Sequence, residues 1–199
     1  MVLTNPNTYQ QGKTLVFFVR HGEQLRDKEY NSKIETPCLG LTPLGKKQAE
    51  EIAKKFSAIK SEIDGVYSSD VSRALQTAEP IAKCLHKKLI IRKELAEFKK
   101  IVWTKKIYHL QYWKHYLKHR NSIKVFNELL EKNQGKVLVM VAHANIIKGL
   151  IGKKLGLPLK DRGKLNHDNC HVTLARFAGK KLDYLYYFNN KELTIPKEM

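Results

Sequence analysis

An arginine, a histidine and a glycine follow a short apolar run near the start of the chain. The run covers residues 15–19, and Arg20, His21 and Gly22 come directly after it. An unbroken apolar run of this length predicts a buried strand. A histidine can act as a nucleophile, an arginine can bind an oxyanion, and a glycine lets the backbone turn close to a ligand. These residue types at a strand exit predict a phosphate site that contains a nucleophile.

A second apolar run has the same form. It covers residues 137–142, and His143 follows at once. Two such strands, paired in parallel at the centre of a sheet, would place His21 beside His143 at the edge where α/β sheets bind ligands. Arg73 lies on the first turn of a helix after a third predicted strand, residues 65–69. From there it can reach the same edge of the sheet.

These side chains fit the transfer of a phosphoryl group to the protein. That reaction needs a nucleophile, neutralisation of the phosphoryl oxygens and an acid for the leaving oxygen. His21 would attack through one imidazole nitrogen, while the other needs a backbone acceptor that fixes the tautomer. Arg20 and Arg73 would neutralise the oxygens, and His143 would donate a hydrogen bond to one of them. The start of the helix after His143 adds N–H groups that favour an anion.

The predicted strands and helices alternate along the chain. This pattern predicts a three-layer α/β/α sandwich with a mostly parallel central sheet. Strands are expected at residues 15–19, 65–69, 89–91 and 137–142, and two further strands near a sheet edge are expected around 172–176 and 182–186. The first helix should begin at Thr42-Pro43, since Thr suits the N-cap and Pro the first helical position. Asp70 is expected to cap a helix that runs to about Leu85, and another helix should cover residues 145–155.

Five segments in order make the chain resemble the histidine phosphatase superfamily, which has the phosphoglycerate mutase-like fold. The similarity covers about residues 15–98 and 137–177, and its segments are 19–23, 41–45 with 48–49, 67–70 with 73–74 and 76–78, 95–97, and 141–143. The resemblance implies a metal-independent phosphatase with a phosphohistidine at His21. It assigns the phosphate pocket to Arg20, Arg73 and His143, and the acid to Glu97. No metal and no organic cofactor are implied.

Three positions depart from the pattern that is common in this superfamily. Asp27 stands where an asparagine often contacts phosphate, and Ala144 and Asn145 stand where glycines often follow the second histidine. Residues 98–103 replace a glycine and a Trp-Glu-Gly motif. Because this flank is changed, Glu94 is kept as an alternative to Glu97 for the acid.

The charge balance favours acidic partners. The chain has 37 Lys and Arg against 19 Asp and Glu, a net charge of +18. Such a surface attracts phosphorylated small molecules, phosphoproteins, nucleic acid or anionic membranes, or serves only solubility. Residues 99–131 form a basic, aromatic-rich helical insertion, which could be a lid or an anion-docking surface. Nucleic acid is not favoured as the partner, because no recognised nucleic-acid motif is present.

The remaining features predict one cytoplasmic domain. Residues 1–199 are read as a single domain with a loose tail at residues 1–13, and no apolar signal segment is visible. The apolar runs are too short for a membrane span. The three scattered cysteines, without a C-x-x-C motif, indicate a reducing compartment. The alternatives to a phosphatase are a phosphoglycerate mutase-type phosphotransferase and a weakly catalytic protein that binds a phosphorylated ligand or RNA.

Two motifs are set aside. Cys170 and Arg176 have the C-x5-R spacing of cysteine phosphatases, but the residues between them alternate like a strand and include no glycine. His115 and His119 lie four residues apart, as zinc ligands on a helix can. Lysines surround them, so a solvated helix face is expected for both.

Overall fold

The computed structural model describes residues 12–25, 39–97 and 110–194, without the side chains of residues 110–116. The strands are β1 (Lys13–Arg20), β2 (Gly65–Ser68), β3 (Leu89–Ile91), β4 (Val137–Ala142), β5 (Val172–Ala178) and β6 (Lys181–Asn190). The helices are α1 (Pro43–Ser57), α2 (Ser72–Leu85), α3 (Leu110–Lys132), α4 (Ala144–Lys154) and α5 (Leu159–Arg162). Short 3₁₀ turns cover Lys60–Glu62 and Lys93–Leu95.

The six strands form one sheet in the order β3-β2-β4-β1-β5-β6. The first four in this order are parallel, while β5 and β6 run antiparallel at one side. The parallel register pairs Arg20 of β1 with Ala142 of β4. The residues that follow these two positions are His21 and His143, so the predicted parallel pairing and the mostly parallel sheet are confirmed.

Successive side chains of β1 pack on opposite faces of the sheet, as the pleat requires. Leu15, Phe17 and Val19 join one cluster with residues of α1 and α2. Val16 and Phe18 join a second cluster with residues of α3 and α4. Helices therefore cover both faces, which confirms the predicted three-layer architecture. A strand buried on both faces needs a continuous apolar sequence, and this is why the two central strands stand out in the chain.

The helix starts follow prediction at α1 and depart from it at α2. The Thr42 hydroxyl accepts a hydrogen bond from the Gly45 N–H at 2.9 Å and caps α1. The capping role predicted for Asp70 is wrong. Helix α2 begins at Ser72 with Val71 at its N-cap and no side-chain capping bond. Asp70 lies one residue too early to cap the helix and is exposed to solvent.

The predicted helical insertion and the predicted N-terminal tail lie partly or almost wholly outside the described residues. Helix α3 covers residues 110–131 of the insertion predicted at residues 99–131 and ends one residue later, at Lys132, whereas residues 98–109 lie outside the described part of the chain. The loose tail expected at residues 1–13 lies almost wholly outside it as well. Across residues 12–25, 39–97 and 110–194, no helix combines the length and the apolar character of a membrane span.

Candidate active site

His21 stands at the exit of β1 with its ring fixed in one tautomer. The side chain is buried, and its Nδ1 lies 2.7 Å from the backbone oxygen of Gly22. A carbonyl oxygen only accepts, so Nδ1 carries the hydrogen and Nε2 holds the lone pair. That lone pair accepts a hydrogen bond from Nε of Arg73 at 3.1 Å. The backbone acceptor expected from the sequence is therefore the carbonyl of the next residue.

The surroundings keep His21 neutral. Burial, first of all, lowers the pKa of His21 to about 3, and the nearby charges of Arg73 and Arg20 act in the same direction. The hydrogen bond to the Gly22 carbonyl raises this pKa but does not outweigh burial. Neutral imidazole is the form that can attack phosphorus, because protonation of Nε2 would consume its lone pair. The nucleophilic form is thus the resting form.

His143 lies beside His21 and is fully buried. The two ring centroids are 5.0 Å apart, and Nε2 of His143 lies 2.8 Å from the Ser69 hydroxyl oxygen. Burial lowers the pKa of His143 well below its usual range, so this ring is also neutral. Its buried Nδ1 has no hydrogen-bond partner among the described residues. If Ser69 donates to Nε2, Nδ1–H is left to donate to a ligand oxygen, as a phosphate pocket requires.

Arg20 places a guanidinium group at the same edge. Its Nη1 donates to the backbone oxygen of His167 at 2.5 Å, while its buried Nε has no partner among the described residues. Burial lowers the pKa of Arg20, and the negative charges of Glu97 and Asp168 act in the opposite direction. An arginine guanidinium is an extremely weak acid and keeps its proton at ordinary pH, so this group stays charged. It can therefore neutralise an oxyanion beside His21.

Side chains away from the ligand position hold this arrangement. The Gly22 N–H donates to the Thr77 hydroxyl at 3.0 Å, and that hydroxyl donates to the Arg73 carbonyl at 2.8 Å. Nδ2 of Asn169 donates to the backbone oxygens of His21, at 2.8 Å, and Gly22, at 3.1 Å. The sequence predicts a role in the site for neither Thr77 nor Asn169. Thr77 falls in a matched segment without an assigned role, and nothing in the sequence around Asn169 indicates a contact with β1.

The loop after β1 approaches α1 more closely than side chains allow. A Cβ atom on Gly22 would lie 2.5 Å from the Gly45 oxygen, and one on Gly45 would lie 2.1 Å from the Glu23 oxygen. Both glycines are therefore required by packing. The Glu23 carboxylate accepts a hydrogen bond from the Thr42 hydroxyl at 2.9 Å. The backbone N–H of Glu23 donates to Oε1 of Gln48 at 2.8 Å. Glu23 thus ties the loop to α1.

The two candidate acids face different surroundings. The charge of Glu97 acts on Arg20, which places this carboxylate at the edge of the site. Glu94 instead lines a separate groove with Asp70 and Glu128. Helix α3 holds the segment that carries both, because Nζ of Lys118 donates to the Glu97 carbonyl at 2.8 Å and the Ser122 hydroxyl donates to the Glu94 carbonyl at 2.6 Å. Asp27 and residues 98–103, where the sequence departs from the superfamily, lie outside the described residues.

The cysteine motif is no second site. Cys170 is buried, and burial raises the pKa of its thiol to about 12, so the thiol stays protonated. Arg176 points its Nε at the Asp183 carboxylate, 2.6 Å away. The described residues also contain no group of three His, Cys, Asp or Glu side chains that could hold a metal ion.

The solvated face expected for His119 is wrong. This side chain is only 3% exposed. It packs on α4, where a Cβ atom on Gly149 would lie 2.6 Å from Cε1 of His119. The missing side chain of Gly149 makes room for the ring, and the sequence near His119 gives no sign of a contact thirty residues away. The side chain of His115 lies outside the described residues.

A neutral histidine at a strand exit, beside two arginines and a second histidine on an α/β/α fold, is the arrangement that the resemblance to the histidine phosphatase superfamily implies. The comparison with protein families agrees. The model of the histidine phosphatase superfamily (branch 1) matches residues 16–122 and 119–190. The chain belongs to this superfamily.

Relatives with named activities support the enzyme class. A putative phosphoserine phosphatase 2 of Hydrogenobacter thermophilus is 26% identical over 195 residues, which cover 86% of this chain and 93% of the relative. The crystal structure of a phosphoserine phosphatase from Entamoeba histolytica, in complex with 3-phosphoglyceric acid, is 25% identical with a TM-score of 0.66. That match covers 89% of this chain and 97% of the other. The protein is accordingly an enzyme of the phosphomonoester hydrolase type.

A further structure supports the fold alone. A putative alpha-ribazole-5'-P phosphatase from Escherichia coli has a TM-score of 0.72 at 17% identity, and the match covers 92% of this chain and 99% of that one. The predicted phosphoglycerate mutase-like fold is therefore confirmed.

Proposed function

We propose that the protein hydrolyses small phosphomonoesters in two steps through a phosphohistidine at His21. The observation that carries this proposal is the state of the His21 ring. Its Nδ1–H is bound to the Gly22 carbonyl, its pKa is lowered to about 3, and its Nε2 lone pair faces Arg73. This nitrogen is a nucleophile that needs no base to activate it.

In the first step Nε2 of His21 attacks the phosphorus atom, and the bond from phosphorus to the ester oxygen breaks. The Glu97 carboxyl group gives its proton to the departing oxygen. Arg20, Arg73 and Nδ1–H of His143 bind the phosphoryl oxygens, and Arg73 exchanges its bond to Nε2 for a phosphoryl oxygen. Two fixed cations and one fixed N–H donor at these positions stabilise the charge that develops in the transition state.

In the second step a water molecule attacks phosphorus, and the bond from phosphorus to Nε2 breaks. The Glu97 carboxylate accepts a proton from this water, so the acid of the first step is the base of the second. Inorganic phosphate leaves, and His21 regains the lone pair on Nε2. Every charge that the chemistry requires is supplied by side chains, so the proposed reaction needs no metal ion.

The proposed substrates are small phosphate esters that carry a second anionic group, such as phosphoserine. Two of the three relatives named above are described as phosphoserine phosphatases, one of them as putative, and the other of these two binds 3-phosphoglyceric acid. Both molecules carry a carboxylate near the phosphate. In this chain, the positive charge of Lys118 acts on His143, so a further cation lies beside the pocket. The cytoplasmic location stays a prediction that rests on the scattered cysteines.

The test is to trap the intermediate. Wild-type protein, mixed with an aryl phosphate in buffer containing EDTA and quenched in alkali, should carry an acid-labile phosphoryl group at His21. Mass spectrometry of the digested protein locates it. His21→Ala should lose the label and essentially all hydrolysis, while His86→Asn, a change at an exposed histidine, should keep both. Full activity in His21→Ala, or phosphate on Cys170, would exclude the proposed mechanism.

A substrate comparison completes the test. Phosphoserine, 3-phosphoglycerate and a phosphoserine peptide are compared by kcat/KM. The proposal expects the two small acids to exceed the peptide, because in the peptide an amide replaces the carboxylate. A peptide that is hydrolysed faster than both would move the substrate class to phosphoproteins.

A further inference from the structure

A groove outside the candidate active site collects positive charge. It has a volume of about 680 Å³, which suits a small-molecule ligand. Helix α3 forms one wall, and the end of α4, helix α5 and the turn between β5 and β6 form the other. The cations that line it are Arg120, Lys124, Lys153, Arg162 and Lys180. Neither His21, His143, Arg20 nor Arg73 belongs to its lining.

Acidic side chains neutralise only part of this charge. Glu128 and Glu131 also line the groove, and Glu131 pairs with Lys180 at 2.7 Å. Like charges crowd the rim, where Lys154 lies beside Lys153 and Lys180. Burial lowers the pKa of Lys154, and these two neighbouring charges act in the same direction. An anion in the groove would relieve this repulsion.

Arg162 is the fixed centre of the groove. Its Nε donates to the Leu157 carbonyl at 2.9 Å, and its Nη1 lies 3.0 Å from Nε2 of His119. Both partners are neutral, because burial lowers the pKa of His119 to about 4. Within the described residues, no carboxylate oxygen lies within 4.0 Å of the Arg162 guanidinium. A half-buried arginine held by neutral groups keeps its charge for an added anion.

Two glycines of α4 create the seat for this pair. A Cβ atom on Gly149 would lie 2.6 Å from the His119 ring, and one on Gly152 would lie 2.6 Å from Cγ of Arg162. The two glycines lie almost one helical turn apart, so His119 and Arg162 pack side by side on one face of α4. The packing of α3, α4 and α5 therefore fixes the position of Arg162, whereas the side chain of an exposed lysine is not fixed in this way.

We propose that this groove is a second anion site, which binds a small molecule with adjacent phosphate groups. A guanidinium group binds one phosphate through two N–H groups, and the surrounding lysines bind the next. The concave shape and the volume of the groove favour a small ligand over an extended polymer. This site does not depend on catalysis at His21.

The experiment is a calorimetric titration of the full chain with pyrophosphate at physiological ionic strength. Wild type should show two classes of sites, because the active-site pocket also binds phosphate groups. Arg73→Gln should remove one class, and Arg162→Gln should weaken the other about tenfold or more, as expected for the loss of a charge-assisted contact. The kcat/KM for an aryl phosphate should stay unchanged in Arg162→Gln.

Matched variants separate a built site from general surface charge. Lys160→Gln removes an exposed charge from the same short helix, outside the groove, and should leave both classes unchanged. Gly152→Ala keeps every charge but displaces Arg162, so it should weaken the groove class as Arg162→Gln does. Lys153→Gln, at an exposed rim position, provides a change that does not endanger folding and should weaken the same class several-fold.

Three results would overturn the proposal. One is a single class of sites that Arg73→Gln abolishes. Another is a loss of pyrophosphate affinity in Lys160→Gln as large as the loss in Arg162→Gln. That result would mean that general surface charge, and not the groove, binds the anion. The last is a short single-stranded RNA that displaces pyrophosphate and binds more tightly, since the groove would then be part of a nucleic-acid surface.

Discussion

Two buried neutral imidazoles lie beside two guanidinium groups at the centre of this site. The rings of His21 and His143 have centroids 5.0 Å apart, and Arg73 is bonded directly to His21. Burial and the arginine charges lower the pKa of both rings, so neither is protonated in the free protein. The site therefore holds positive charge on Arg20 and Arg73, and the Nε2 lone pair of His21 accepts a hydrogen bond from Arg73. In the proposed mechanism, the two cations attract a phosphate dianion, and the lone pair attacks phosphorus once Arg73 has turned to a phosphoryl oxygen.

Glu97 is the residue whose role a leaving-group comparison tests best. Glu97→Gln should lower kcat for an alkyl phosphate by about 10²–10⁴, the usual contribution of a positioned acid. The same change should lower kcat for nitrophenyl phosphate less than tenfold, because nitrophenolate leaves with little need for a proton. Steady-state kinetics on the two substrates measures the difference.

Glu94→Gln is the matched control for this prediction. Glu94 lines a separate groove, and only its backbone oxygen is held by Ser122. The Glu94→Gln variant should keep wild-type kinetics on both substrates. Equal losses on both substrates in Glu97→Gln, or a larger loss in Glu94→Gln, would move the acid role away from Glu97.

At the scale of elements, helix α3 holds the segment that carries Glu97, the proposed acid. Lys118 and Ser122 lie four residues apart on one face of α3, and they donate to the carbonyls of Glu97 and Glu94. If Glu97 is the acid, a helix that lies later in the sequence holds its segment. Ser122 would then act as a positioning residue, since the hydrogen bonds of its hydroxyl go to the backbone carbonyls of Glu94 and Lys118.

Ser122→Ala should therefore slow the acid-dependent step. The loss of one buried hydrogen bond, worth about 1 kcal/mol, corresponds to about fivefold in kcat for an alkyl phosphate. KM and the turnover of nitrophenyl phosphate should change little. Ser57→Ala removes a similar hydroxyl-to-carbonyl bond, from Ser57 to Lys54 on α1, and should have no kinetic effect. A uniform loss on both substrates in Ser122→Ala would indicate general destabilisation instead.

The sequence predicts the central strands and the residues that follow them, but not the contacts between distant segments that support the site. Strands β1 and β4 are buried on both faces, so their apolar runs and the residues that follow them are visible without a structure. Contacts between distant segments are not visible. Asn169 reaches the backbone of His21, and Gly149 makes room for His119. Neither contact leaves a local pattern, because each depends on how the layers pack.

The capping error has a similar cause. Thr42 is followed directly by a proline that fixes the helix start, so the sequence marks the first turn of α1. Asp70 has no such marker after it, and Val71 takes the N-cap position before α2 begins at Ser72. A capping residue near a helix start does not define the position of the first turn unless its neighbours do.

At the scale of the whole molecule, buried histidines link stability to pH. His21, His119, His143 and His167 are all buried, and burial is the first cause that lowers the pKa of each. The values fall to about 3 for His21 and His167 and to about 4 for His119. In the unfolded chain the same rings have an ordinary pKa near 6.5. The unfolded state therefore binds more protons below this pH, and stability must fall as the solution is acidified.

The free energy of unfolding should consequently fall steeply between about pH 6.5 and pH 5. His21, His119 and His167 each contribute a slope that approaches about 1.4 kcal/mol per pH unit, and by pH 5 these three rings together remove about 6 kcal/mol. That loss is comparable with the whole stability of a typical domain, about 5–15 kcal/mol. The burial of His143 acts in the same direction. Urea titrations across this range measure the slope. His119→Gln removes one of the groups that take up a proton on unfolding, so it should reduce the slope by about 1.4 kcal/mol per pH unit.

The net charge of +18 offers a competing cause, because added protons increase the repulsion between positive groups. Salt separates the two causes: 0.5 M salt shortens the screening length to about 4 Å and suppresses repulsion between exposed charges, but it leaves burial unchanged. If burial is the cause, the slope should persist at high salt. His86→Asn is the matched control and should leave the slope unchanged, since His86 is exposed. Asparagine suits this position because the backbone of His86 is left-handed, with a φ of 54°. A slope that vanishes at high salt would assign the acid sensitivity to surface charge and not to the buried imidazoles.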